Sequence, residues 1–185
     1  MDFARIPGIN DPTFYHLLSA SVDKSQVQEV WQIILTAIFN RKPFHVILAD
    51  DDQDDRDMFT EALLEIVPMA KIMTAVDGER LLELLTSASN NPDLIFLDLN
   101  MPRKNGFDCL QEIKKSPFWK SIPVVIYSTS ANTDQIERTF NTGANRYIQK
   151  PVTFDGIMSV LKKVFALKRE ELALQPTRDQ FFFSS

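Results

Sequence analysis

The chain has 185 residues, a formal net charge of −5 and an apolar content of 44%, which suits one ordinary domain with extensions. The acidic balance and the lack of a long basic stretch argue against a nucleic-acid groove binder, and the single cysteine, Cys109, excludes an internal disulfide framework. The first residues lack a secretory signal pattern, and the longest apolar stretch, Val30–Phe39, is too short to span a bilayer. We therefore expect a cytoplasmic protein whose partners include neither nucleic acid nor membrane.

Residues 1–43 precede a repeating pattern and are expected to form an N-terminal helical extension. Asp23 or Ser25 can cap a helix that runs to Asn40. Apolar residues follow at helical spacing along it: Val27, Val30, Trp31, Ile34 and Ile38. This stripe either packs on the following domain or serves a partner or a homodimer. Packing is the favoured alternative, because isolated helices of this length are marginal.

Five short apolar runs alternate with amphipathic segments between residues 44 and 168. The expected strands are residues 46–49, 71–76, 94–97, 123–127 and 147–148. Strands that are apolar on both faces and separated by helices predict an α/β fold with a doubly wound, five-stranded parallel sheet. We expect residues 169–185 to form a C-terminal tail, helical at first and then frayed through Phe181–Phe183.

Polar side chains stand where the expected strands end. An acidic cluster follows the first strand, Asp98 the third, Ser128 the fourth and Lys150 the fifth. Because the carboxyl ends of parallel strands share one edge of a sheet, we expect these side chains to meet in one crevice. Carboxylates, a hydroxyl and an ammonium are suited to a phosphoryl group and a divalent cation.

The acidic cluster is Asp50-Asp51-Asp52, and neighbouring carboxylates of this kind are either fully solvated or hold a cation. We favour a cation for the first two, which the strand holds at the crevice. Solvation at the first turn of a helix, where negative charge favours the macrodipole, accounts for the acids that follow: Asp54, Asp55 and Asp57.

An EF-hand calcium loop is a competing interpretation of these acids. Asp50, Asp52, Asp54 and Glu61 match positions 1, 3, 5 and 12 of that loop. However, Asp55 occupies the position that requires glycine, and the preceding segment is a strand rather than a helix. We discount the EF-hand.

Asp98 opens the loop Leu99-Asn100-Met101-Pro102. A carboxylate can accept a phosphoryl group, as in the aspartyl-phosphate of ATPases. Haloacid-dehalogenase-like phosphatases place a second aspartate two residues after the nucleophile as general acid and base, and this chain has Asn100 there. A phosphoryl group that is accepted and held is favoured over hydrolytic turnover, so we do not expect an enzyme.

Together these residues resemble the receiver domain of two-component response regulators over residues 44–167. The resemblance rests on the acidic cluster, the Asp98 loop with Met101-Pro102 and Gly106, the Ser128 hydroxyl and the pair Lys150-Pro151. It implies a flavodoxin-like sheet of order 2-1-3-4-5 and a cis peptide before Pro151. The implied domain division is an extension at 1–43, a receiver at 44–168 and a tail at 169–185.

The resemblance also implies a role for each site residue. Asp98 would be the phosphoacceptor, with Lys150 and Ser128 contacting the phosphoryl oxygens. A magnesium ion would be held by Asp51, Asp98 and the backbone carbonyl of Asn100, with Asp50 acting through bound water. Tyr147 falls at the aromatic switch position, although an ordinary half-buried strand aromatic is the competing interpretation.

The implied function is a phosphoaccepting receiver in a phosphorelay. The donor would be a histidine kinase or a histidine phosphotransfer protein, and the output a contact with a downstream protein target. A homodimer is compatible with the sequence. The alternative is a module that keeps the receiver fold for interaction and is not switched by phosphorylation.

Overall fold

The computed structural model describes residues 43–183, so the predicted N-terminal helix lies outside the described residues. The strands are β1 His45–Ala49, β2 Lys71–Ala75, β3 Leu94–Leu97, β4 Val124–Ser128, β5 Arg146–Gln149 and β6 Phe182–Phe183. The helices are α1 Gln53–Ile66, α2 Gly78–Ser87, α3 Gly106–Lys115, α4 Thr133–Thr142, α5 Phe154–Phe165 and α6 Arg169–Ala173, and Arg178–Gln180 forms a 3₁₀ turn. Across this part of the chain, every helix is too short or too polar to cross a bilayer.

The six strands form one parallel sheet with the order β2-β1-β3-β4-β5-β6. The predicted α/β fold and the order of the first five strands are confirmed. The sheet has one strand more than predicted, because Phe182 and Phe183 pair in parallel with Tyr147 and Ile148 at the edge of β5.

The core lies on both faces of the sheet, as expected when parallel strands are covered by helices on two sides. Alternation along β4 shows the division, because Val124 and Ile126 face one cluster while Val125 and Tyr127 face the other. The first cluster receives apolar residues of α2 and α3, including Leu81, Leu110 and Ile113. The second receives apolar residues of α1 and α5, including Phe59, Leu63 and Leu161.

Five helices begin with a side-chain cap at the edge where the strands end. In each, the capping oxygen accepts a hydrogen bond from a backbone N–H of the first turn, which satisfies groups that the helix itself leaves unpaired. The caps are Asp52, Asp77, Asn105, Asn132 and Thr153. The strand ends and the helix N-termini therefore face the same rim, which favours negative charge there.

The expectation of a frayed C-terminal end is wrong for the described residues. Phe181 is buried, and its ring packs edge-to-face against Phe140 and Tyr147. Its backbone carbonyl accepts a hydrogen bond of 2.8 Å from the Tyr147 N–H. Further back, Asn145 Nδ2 donates to the carbonyl of Ala173 at 3.0 Å. The C-terminal segment, residues 174–183, thus ends in the folded sheet.

Phe181→Ala is expected to destabilise the protein by about 3–5 kcal/mol, because it removes a fully buried ring and leaves a cavity beside Tyr147. Phe118→Ala is the matched control, since the Phe118 side chain is exposed and its loss should change stability little. Urea unfolding of both variants measures the difference. Equal stability of the two variants would mean that the C-terminal segment does not dock as described.

Candidate functional site

Four predicted site residues come from four different strands of the sheet and meet at one edge. Asp50 and Asp98 follow β1 and β3, Ser128 ends β4, and Lys150 follows β5. Backbone hydrogen bonds continue the sheet into the site: Asp98 N donates to Ala49 O at 2.9 Å, and Lys150 N donates to Ser128 O at 2.8 Å. The sheet therefore sets the positions of these residues directly.

Three carboxylates converge at the centre of this edge. One oxygen each from Asp50, Asp51 and Asp98 lies within 4.8 Å of the other two. Asp50 and Asp98 are buried, whereas Asp51 is exposed. Unit charges this close repel by about 4 kcal/mol per pair at 4 Å when the effective dielectric constant is near 20. The cluster therefore requires positive charge.

Lys150 supplies part of that charge. Its Nζ lies 2.7 Å from Asp50 Oδ2, 2.8 Å from Asp55 Oδ2 and 3.4 Å from Asp98 Oδ2. Burial acts to lower the Lys150 pKa, but the contacts with these carboxylates outweigh it and raise the pKa overall, so the side chain stays protonated. The peptide bond before Pro151 is trans, so the cis bond that the resemblance implied is wrong.

Asp50 remains incompletely satisfied despite this ion pair. Its Oδ1 accepts a hydrogen bond of 3.1 Å from the N–H of Asp52, but Oδ2 is buried and has no hydrogen bond of good geometry. Burial raises the pKa of Asp50 to about 6, while the contact with Lys150 acts in the opposite direction. A buried carboxylate oxygen that shares one ammonium with two other carboxylates fits a hard divalent cation, which takes oxygen ligands and keeps bound water.

Asp55 is a site residue that the sequence interpretation assigned to solvent. Its carboxylate contacts Lys150 at 2.8 Å and is only about one-third exposed, with 33% of the side chain accessible. The sequence feature that could have identified Asp55 is its position three residues after Asp52. The Asp52 side chain caps the helix, and its Oδ1 accepts a hydrogen bond from the Asp55 N–H. That spacing turns the side chain back toward the strand ends.

The loop after Asp98 is held by close backbone packing. Gly106 N donates to Leu99 O at 3.0 Å, and a Cβ at Gly106 would lie 1.8 Å from the Asp98 carbonyl oxygen, so only glycine fits. Arg103 has a φ of 61° and pairs with the buried carboxylate of Asp77. Asn100, predicted to offer its carbonyl to the cation, lies exposed within this loop.

Ser128 and Tyr147 lie in neighbouring strands, both fully buried. The Tyr147 hydroxyl donates to the carbonyl of Ser130 at 2.8 Å, and the Ser130 N–H contacts Ser128 Oγ at 3.4 Å. Burial raises the pKa of Tyr147, with hydrogen bonds to the two serines acting against the shift. The Tyr147 side chain is fully buried rather than half-buried, and its role as a switch stays a prediction.

The EF-hand alternative finds no support in this arrangement. The acids are preceded by strand β1, Asp52 caps α1, and Glu61 is exposed within that helix. Among residues 43–183, the acidic group with metal-site spacing combines Asp50 and Asp51 with Asp98 rather than with Glu61.

Sequence comparison identifies similar proteins. The family model for the response regulator receiver domain matches residues 46–162. Response regulator Rcp1 of Synechocystis sp. is 28% identical over 137 residues, which cover 71% of this chain and 93% of that protein. Two-component response regulator ORR3 of Oryza sativa subsp. japonica is 32% identical over 120 residues, which cover 65% of this chain and 89% of that protein.

Structural comparison also finds response regulators. The phosphorylated cyanobacterial phytochrome response regulator RcpA superposes with a TM-score of 0.63 at 33% identity, covering 66% of this chain and 91% of that chain. The Mn²⁺-bound form of Rcp1 superposes with a TM-score of 0.62 at 28% identity, covering 68% of this chain and 94% of that chain.

Asp51→Asn is expected to raise the dissociation constant for a divalent cation at least about tenfold, equivalent to about 1.4 kcal/mol, because it removes one of three converging carboxylates. Isothermal titration with Mg²⁺ or Mn²⁺ measures the change. Asp57→Asn makes the same change of charge at an exposed position of α1 and serves as the control. Similar affinities for both variants would contradict a cation site at the cluster.

Proposed function

The chain belongs to the response regulator receiver family, and from this premise we propose that Asp98 is the side chain that accepts a phosphoryl group in two-component signalling. Receivers of this family are signalling modules rather than conventional enzymes. The observation that carries the assignment is the convergence of Asp50, Asp51 and Asp98 to within 4.8 Å, with Lys150 paired to two of the three. A module that keeps only the fold would have no need of such a costly group of charges.

We propose that the resident cation is Mg²⁺. Receivers bind a divalent metal, and the relative Rcp1 has been solved in an Mn²⁺-bound form. Asp51 and Asp98 would be direct ligands together with the carbonyl of Asn100, and Asp50 would act through bound water. When bound, the cation offsets the carboxylate charge and the charge of the incoming phosphoryl oxygens.

The transfer step that these residues support is an in-line displacement. An Asp98 carboxylate oxygen forms the new P–O bond while the P–N bond of a donor phosphohistidine breaks, and the imidazole leaves with the electron pair and takes a proton from solvent. Charge spreads over the three equatorial oxygens in the loose transition state. Lys150 neutralises one of these oxygens and the Ser128 hydroxyl donates to another, so neither residue has to transfer a proton.

The partners that this chemistry requires are a histidine kinase or a histidine phosphotransfer protein as donor and a downstream protein as target. We propose that these encounters take place in the cytoplasm. We also propose the domain division described above, with an N-terminal extension at residues 1–43, a receiver at 44–168 and a tail at 169–185 whose residues Phe181–Phe183 pack on the receiver. Measuring the size of the protein in solution, with and without residues 1–43, tests whether the extension forms a homodimer.

Tyr147 and Ser128 are proposed as the switch pair. Phosphorylation adds about −1.5 to −2 charges at Asp98, which draws the Ser128 hydroxyl toward the phosphoryl group. The loop that carries Ser130 moves with it, and the hydroxyl of Tyr147 is bonded to that loop at 2.8 Å. The two states then differ on the face formed by α4 and β5, where a target would bind.

Wild-type protein incubated with acetyl phosphate and Mg²⁺ is expected to gain the mass of one phosphoryl group. Asp98→Asn should abolish the gain, because it removes the nucleophilic carboxylate, whereas the control Asp93→Asn should not, since Asp93 lies before β3 at the opposite edge of the sheet. Intact-mass spectrometry reads both results. Failure of the wild type under conditions that label another receiver would refute the assignment, and labelling of Asp98→Asn would move the acceptor elsewhere.

A fluorotyrosine at position 147 is expected to change its ¹⁹F resonance when beryllofluoride and Mg²⁺ are added, because the hydrogen bond to Ser130 is rearranged. The same label in the Asp98→Asn variant provides the control and should not respond. A resonance that stays unchanged in otherwise wild-type protein would show that Tyr147 is not part of the switch.

A further inference from the structure

Among residues 43–183, Asp55 is the one carboxylate paired with Lys150 that lies outside the three converging carboxylates Asp50, Asp51 and Asp98. Its oxygen is closer to the ammonium than that of Asp98, at 2.8 Å against 3.4 Å. The Lys150 side chain is 7% exposed, so the contact is made within the site rather than in solvent. Asp55 is held in place, because its backbone N–H donates to Asp52 Oδ1 at 3.1 Å.

The ion pairs of Lys150 conflict with cation binding. Its ammonium forms an ion pair with Asp50 Oδ2 and a longer one with Asp98 Oδ2. Both carboxylates belong to the group of three that would hold the cation. A divalent cation on that cluster repels the ammonium and competes with it for the same oxygens. Lys150 must therefore weaken these pairs when the cation binds. A buried ammonium that loses its partners is costly unless another carboxylate remains in reach.

We propose that Asp55 is a positioning residue for Lys150: it retains the ammonium beside Asp98 when the cation takes the cluster, and releases it to the phosphoryl group. Asp55 thereby lowers the cost of displacing Lys150 from Asp50 and Asp98, which strengthens cation binding. Release of the ammonium to the phosphoryl group rests on the proposed function of Asp98 and Lys150. Retention of the ammonium when the cation binds does not depend on that function.

A different role for Asp55 would be that of a plain negative charge. It stands in the first turn of α1, where any carboxylate favours the helix macrodipole and attracts cations to the rim. Asp54 is also an acid of that first turn but is exposed and makes no described contact with Lys150. A charge effect predicts similar consequences for Asp54→Asn and Asp55→Asn. A positioning role predicts an effect of Asp55 that depends on the presence of Lys150.

The test is a double-mutant cycle on Mg²⁺ affinity, measured by isothermal titration of the full chain. The set comprises wild type, Asp54→Asn, Asp55→Asn, Lys150→Met and the Asp55→Asn/Lys150→Met double variant. Asp55→Asn is expected to raise the dissociation constant about fivefold more than Asp54→Asn, the effect of one partly exposed ion pair. In the Lys150→Met background, the effect of Asp55→Asn should fall to the size that Asp54→Asn has in the otherwise wild-type protein, because no ammonium remains to be retained.

Two outcomes would overturn the inference: equal effects of Asp54→Asn and Asp55→Asn, or an Asp55→Asn effect that persists unchanged without Lys150. Circular dichroism and thermal unfolding of each variant establish that the comparison is made between folded proteins. Because the cycle reads cation affinity and not phosphorylation, a wild type that fails to accept a phosphoryl group would refute the proposed function while the coupling of Asp55 to Lys150 is still decided.

Discussion

The ion pairs of Lys150 are the interaction on which the site depends. Three carboxylates meet at the strand ends. Two of them are buried, so water does not screen their charges. One ammonium placed 2.7 Å from Asp50 and 3.4 Å from Asp98 offsets part of this charge without filling the site. Removing one partner of a buried ion pair typically costs about 3–5 kcal/mol, because the remaining charge is uncompensated. The uncompensated carboxylate charge destabilises the folded protein, and the same charge favours the binding of a cation at the site.

The parallel sheet holds these charged side chains close together at one edge. Residues from β1, β3, β4 and β5 arrive at one edge because parallel strands end in the same direction, and backbone hydrogen bonds extend from the strands into the site. The side-chain caps direct helix N-termini toward the same rim. Gly106 permits the loop after Asp98 to pack against that residue's carbonyl. The strands, the capped helices and the turn at Gly106 thus fix the positions of the charged groups without a bound cation or phosphoryl group.

The sequence predicts the residues whose positions follow from strands alone. Asp50 and Asp98 directly follow fully apolar runs, and Lys150 directly follows the short strand β5, so the end of each strand locates them on the sheet edge. The contact of Asp55 with Lys150 and the docking of Phe181 could not be predicted in this way, for two different reasons. The direction of Asp55 depends on the helix register set by the cap Asp52. Docking of Phe181 depends on an open sheet edge and on rings from α4 and β5, and such long-range packing leaves no local periodicity.

The docking of Phe181 has a thermodynamic consequence for the proposed switch. The N–H of Tyr147 donates to the carbonyl of Phe181, and the rings of Phe181 and Phe182 both lie against the Tyr147 ring. The change in Tyr147 that the proposed switch requires would therefore alter the free energy with which the C-terminal segment docks. By linkage, docking of the segment must alter the free energy of the phosphorylated state by the same amount and sign. In the proposed switch, the sixth strand is for this reason coupled to phosphorylation at Asp98, although it lies at the far edge of the sheet from β2.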